Sequence, residues 1–281
     1  MQVVYDGSLE GFLCIVYEYY YAKLRPNSIK KAHNCGLFDG EIYEIQTDFK
    51  RAQKVLNGIK KHFTKNNYHA ILSVFSCDSI DFEKTLFEYI IMGFKDKNTL
   101  YNLHVKVVRD IQRWQKAYGR ELHRWCGFAR FKELDNGALY AQFEPKFSLL
   151  TPLGKHFSRR LGNHEFILHD SLRSLALLYC DGKMSLQNVH EVCAPPLAEH
   201  ESEVDSLWRT FFEHVAIKER LNPALQQQFV PLRCQGFMNE FEALHVRADS
   251  KIWEDSAFIH KRQGVKPFKK AISFNKGTLE A

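Results

Sequence analysis

The sequence has no uninterrupted apolar run approaching the roughly 18 residues that a membrane-spanning helix needs. Its opening, Met1-Gln2-Val3-Val4-Tyr5-Asp6, lacks the basic-then-apolar layout of a secretory signal, so a soluble, cytoplasmic protein without membrane attachment is expected. Cysteine is sparse and scattered: Cys14, Cys35, Cys77, Cys126, Cys180, Cys193 and Cys234 form no C-x-x-C pair. The odd count argues against a disulfide framework, and the spacing argues against zinc or an iron–sulfur cluster. His190-Glu191-Val192-Cys193 sets a histidine near a cysteine, but the H-x-E and P-C-x-x-C of zinc deaminases are missing. Nucleotide-binding glycine spacing and a nucleophile-elbow sequence are likewise missing. No metal and no cofactor are expected.

The composition of the 281 residues is that of a folded protein, with 45% apolar and 26% charged residues. Twenty-two phenylalanines and 12 tyrosines supply a sizeable core for one large domain or two ordinary ones. The net charge is only +6, and most of it sits at the end of the chain. From Phe258 onward there are six basic residues, Lys269 and Lys270 among them, against the single acid Glu280. Such a tail suits either solubility or contact with phosphate.

Periodicity divides the chain into a helical region over residues 1–98, an α+β domain over 99–245 and a basic tail over 246–281. A short strand at Gln2–Tyr5 leads through Asp6-Gly7-Ser8 into a helix, with Ser8 placed to cap it. Further helices are expected over 49–63, 81–92 and 99–123; the last turns Leu103, Val107, Ile111, Trp114 and Tyr118 inward. Alternation from Trp125 predicts strands over 127–134 and 139–144 joined at Asp135-Asn136-Gly137, then a helix over 149–161. Strands over 165–169, 175–180 and 184–189, with a hairpin at Asp181-Gly182, complete a mostly antiparallel sheet flanked by helices. A final helix over 199–221 places Trp208, Phe211, Phe212 and Val215 on one core stripe.

Three clusters carry the chemistry. Around Gly127-Phe128-Ala129-Arg130-Phe131, Arg124 and Arg130 are candidates for phosphate, while Phe131 reads as core. In the second, Arg159 and Arg160 offer two-pronged donors suited to a nucleic-acid backbone, beside His156, Asp170 and Arg173. His156 and Asp170 are the candidates for a catalytic pair, although Asp170 reads more readily as a strand-end carboxylate bonded to a nearby arginine. In the third, Arg209 and Arg220 lie off the aromatic stripe, with Arg233 beyond.

Three ordered stretches carry a resemblance: Tyr5-Asp6-Gly7-Ser8-Leu9-Glu10-Gly11-Phe12-Leu13, then Glu121-Leu122-His123-Arg124 with Gly127-Phe128-Ala129-Arg130-Phe131, and Trp208-Arg209-Thr210-Phe211-Phe212 with Arg220, Asn222-Pro223, Gln226 and Pro231-Leu232-Arg233. Over roughly residues 1–241 the chain resembles the bacterial family labelled "probable DNA metabolism protein". The C-terminal part of that family is a domain of unknown function, whose relatives are fused to uracil-DNA glycosylase-like domains. The resemblance implies a DNA context and a radical-SAM protein as partner, and it supplies no proven catalytic residues. The basic tail departs from the family, whose members often end near the stretch matching Phe237–Phe241. The expected function is that of a nucleic-acid-binding accessory in DNA repair or modification. The alternatives are an enzyme processing a damaged base or nucleic-acid end, and a protein-interaction scaffold that does not touch DNA.

Overall fold

The computed structural model describes residues 1–32, 42–77, 81–189 and 196–241. The basic tail, with Lys269 and Lys270, lies outside them. The chain divides into two compact units, one of residues 1–123 with 146–149 and the other of 124–145 with the residues from 150 onward. Helices dominate the N-terminal part, a mixed sheet flanked by helices follows, and the class is α+β. No helix among the described residues is long and apolar enough to cross a membrane.

The first unit is built on a small parallel sheet in the order β2-β1-β3, with β1 spanning Gln2–Tyr5, β2 Ser28–Lys31 and β3 Ile42–Glu44. Val3, Val4 and Tyr5 are all buried, as a central strand covered on both faces requires. Parallel neighbours need a crossover, and helix α1 (Leu9–Tyr21) provides it between β1 and β2. The turn into α1 is tied by Asp6, whose carboxylate accepts from the Ser8 amide at 2.9 Å and the Thr47 hydroxyl at 2.8 Å. Ser8 in turn caps the Gly11 amide at 2.9 Å. A Cβ on Gly11 would collide with Asp6 and Thr47, so only glycine lets the carboxylate reach the helix this closely. The polar atoms of this strand-turn-helix are thus spent on one another, a structural knot rather than an open phosphate cradle.

Helices α2 (Phe49–His62), α3 (Lys65–Phe75), α4 (Glu83–Lys95) and α5 (Lys106–Phe128) follow, with a 3-10 turn at Lys97–Tyr101 before α5. A line of edge-on and tilted aromatic contacts, Tyr5 to Phe12 to Phe75 to Phe82, runs through this core with centroids 5.7 to 5.9 Å apart. In α5 the inward face is Val108, Ile111 and Trp114, whereas Leu103 lies ahead of the helix and is exposed.

The second unit holds a five-stranded sheet in simple chain order: β4 (Lys132–Glu133), β5 (Leu139–Phe143), β6 (Phe166–Asp170), β7 (Leu175–Cys180) and β8 (Lys183–Asn188). Every pair is antiparallel except β5 with β6, where helix α6 (Leu150–Arg160) makes the crossover. The hairpin glycines Gly137 and Gly182 adopt φ of 80° and 73°, left-handed values that explain the Asn-Gly and Asp-Gly turns. Helix α6 covers the sheet face that carries Phe166, Leu168 and Leu177, and the bare Gly154 lets it approach Leu177 and Met184. Phe131 packs edge-on against Phe157 and Phe166, as its core reading required.

The residues beyond the sheet form α7 (Glu201–Val215), a 3-10 turn at Lys218–Arg220, α8 (Pro223–Phe229) and the single turn α9 (Leu232–Gln235). Here one expectation fails. Trp208, Phe211 and Val215 are not core: they are 40, 58 and 61% exposed, and only Phe212 of that stripe is half-buried. Helix α7 is instead seated through its polar side, where Asp205 bonds Lys132 at 3.1 Å and accepts from Asn239.

Candidate nucleic-acid interface

Burying Val108, Ile111 and Trp114 dictates what the rest of α5 must show to solvent. Lys106, Arg109, Arg113, Lys116 and Arg120 recur every three or four residues and are all exposed, so they form one cationic row. From Arg109 to Arg120 the row runs about 16 Å along the helix axis at the α-helical rise. Arg109, Arg113, Lys116 and Arg120, with Leu103 and Gln112, line an open groove of about 290 Å³. Asp110 lies 3.3 Å from Arg113, whose side chain remains 68% exposed. An ion pair so open to water holds little energy and yields readily to a phosphate. Gln115 donates to the Asn66 side chain at 3.0 Å and Glu121 accepts from the Lys146 amide at 2.7 Å, which fixes the rotation of the helix and hence the row. In the sequence the row is the complement of the inward stripe, spaced too widely to stand out as a local arginine cluster.

The arginines expected from sequence are not gathered into one site. Arg130 lies against Glu240, with Nε at 3.2 Å from one carboxylate oxygen and Nη2 on the other, and donates to the Gly127 carbonyl at 2.8 Å. Trp208 Nε1 reaches the same carboxylate at 3.2 Å. Arg130 therefore closes the fold and has no free fork for phosphate. Arg173 is held by Asp170 at 2.7 Å and by the Pro145 carbonyl at 3.0 Å. Asp170 is completely enclosed; burial pushes its carboxyl up, against the pull of Arg173. Asp170 thus stands as the strand-end carboxylate bonded to an arginine. His156 sits half-buried on α6, its ring edge-on to Phe157. Arg124 and Arg233 are half-buried and Arg220 is exposed. Arg159 and Arg160, by contrast, stand exposed in the last turn of α6. Arg160 lies close enough to Cys126 to oppose the rise that burial imposes on that thiol.

Two further polar clusters lie in the second unit. Cys180, Glu165 and Asp181 are exposed with their polar atoms close together. The thiol sits 2.6 Å from a Glu165 oxygen, and that contact, with the neighbouring carboxylates, pushes its pKa up to about 11. It is therefore a protonated thiol at neutral pH, and a cation bound by this group would have to displace that proton. On the face of the large sheet opposite α6, the Tyr140 hydroxyl and His169 Nδ1 are 2.7 Å apart. His169 is 2% exposed, and its Nε2 has no partner among the described residues.

Burial holds the His169 pKa below its ordinary 6.5, while that of Tyr140 is pushed up to about 12. On acidification the unfolded chain takes up a proton that the folded His169 refuses. Stability is thus complete above the ordinary value and declines as pH falls from about 6.5 toward the lowered one. Between pH 7.5 and 5.5 the urea midpoint of the wild type should fall further than that of His169→Asn. Equal falls would show that His169 does not titrate in this way.

A family model described as a domain of unknown function, DUF4130, matches residues 81–240, which is more than half of the chain. The cationic row of α5 and the whole large sheet lie inside the matched region, whereas the Tyr5–Leu13 motif lies outside it. No curated protein and no solved structure gives a significant match. The chain therefore belongs to the family defined by this domain of unknown function, DUF4130.

Proposed function

We propose that the protein binds the phosphate backbone of DNA and serves as an accessory in DNA repair or modification beside a radical-SAM enzyme. The observation that carries the binding is the exposed row Arg109, Arg113, Lys116 and Arg120 on one face of α5. Cations one turn apart along a rigid rod meet successive phosphates of a strand without rearrangement, and arginine adds a fork that matches phosphate oxygens. Arg159 and Arg160 supply a second exposed pair. The DNA-metabolism context and the radical-SAM partner rest on the resemblance of the three sequence motifs.

Labelled single-stranded, duplex and uracil-containing DNA, titrated with the purified protein at low salt, should each bind with micromolar or tighter affinity. A preference among the three would identify a reader of damage rather than a general binder. Absence of binding to all three would overturn the proposal and favour a scaffold that never touches DNA.

A further inference from the structure

Helix α7 is amphipathic in the wrong direction for a monomer. Val204, Leu207, Trp208, Phe211 and Val215 share one stripe at helical spacing, yet they are 48, 69, 40, 58 and 61% exposed. The helix cannot roll over to bury them. Asp205 is held by Lys132 and Asn239, the Trp208 indole N–H is fixed on Glu240, and Arg209 is turned inward, half-buried. An apolar stripe held outward by polar contacts along one flank of its own helix marks an interaction surface.

We propose that a second copy of this chain covers the stripe, with the two α7 helices packed antiparallel about a twofold axis. The stripe is close to palindromic. About a centre between Arg209 and Thr210, antiparallel pairing sets Val204 on Val215, Trp208 on Phe211 and each reciprocally, as an isologous contact demands. The antiparallel arrangement also opposes the two helix dipoles. The area is sufficient. The five side chains expose on the order of 500 Å² of largely apolar surface, the apolar share expected of about 800 Å² per partner in a stable interface. Trp208 and Phe211, at the centre, are the residue types that dominate binding energy.

Sedimentation equilibrium of the full chain from about 1 to 100 µM tests this over the range where a stable dimer forms. The expected mass at the upper end is twice the 32.9 kDa of one chain. Phe211→Glu should weaken dimerisation by about a hundredfold by placing two carboxylates in the central contact. Because Phe211 is more exposed than buried, the variant's far-UV spectrum should match that of the wild type, and its thermal melt should match at concentrations where the wild type is dissociated. A wild-type monomer across the range overturns the proposal, whether another protein or another part of the chain covers α7. A dimer that Phe211→Glu leaves intact overturns it equally.

Discussion

Replacing Glu240 with alanine is expected to lower the unfolding free energy of the second unit by about 3 kcal/mol, the cost of leaving an enclosed charge without its partner. Glu240 is 5% exposed on its side chain and Arg130 24%, so neither can turn fully to water. The substitution strands the Arg130 fork and the Trp208 indole N–H together, and it leaves the Asn239–Asp205 hydrogen bond to tie this segment to α7. Glu240→Gln keeps the acceptor and should recover about half of the loss. Burial alone would raise the Glu240 pKa, but hydrogen bonds from Arg130 and Trp208 outweigh it and hold the group below its usual 4.5. The contribution is therefore complete at neutral pH and fades only as acidification passes that value and approaches the lowered one. Urea unfolding followed by tryptophan fluorescence measures it. A loss under about 1 kcal/mol would mean that the pair is no stronger than an exposed surface ion pair.

Reversing two charges in the middle of the α5 row, Arg113→Glu with Lys116→Glu, is expected to reduce DNA affinity by about a hundredfold at low salt, from lost phosphate contacts and new repulsion. Both side chains are exposed, so thermal stability should stay close to that of the wild type. The informative comparison is Arg130→Ala. It should destabilise the second unit, yet leave affinity unchanged at temperatures where the variant is folded. If affinity follows Arg130 instead of Arg113 and Lys116, the assignment of structural and binding arginines is reversed.

The two arginine groups show how much of this protein was legible in its sequence. Helix α1 with its Ser8 cap, the turns at Gly137 and Gly182 and the strands β5 to β8 follow from local chemistry, because capping, left-handed glycines and alternation act over a few residues. The parallel sheet of the first unit was not legible beyond β1. β2 reads Ser-Ile-Lys-Lys and β3 Ile-Tyr-Glu, and pairing with a buried central strand, not composition, makes them strands. The helix α5 also ran past Trp125 to Phe128, where alternating residues predicted a strand. Trp125 is fully buried against Phe143, and tertiary packing there outweighs the local pattern.

For the site, proximity in sequence misled. Arg130 and Glu240 are 110 residues apart, so nothing local announces that this arginine is already paired. Asp170 and Arg173 were legible as a pair because they flank one strand end. The stripe of α7 shows the same limit from the other side. Its spacing marks an apolar face correctly, but periodicity does not say whether the face meets the same chain or another.

The central claim is that an electrostatic row on α5 holds a nucleic-acid backbone, and the salt dependence of DNA binding tests it most directly. With four cations engaged, the logarithm of the association constant should fall with the logarithm of salt concentration at a slope of about −3, and Arg113→Glu with Lys116→Glu should make that slope shallower by about 1.5. A slope near zero, or one the double reversal leaves unchanged, would contradict the account.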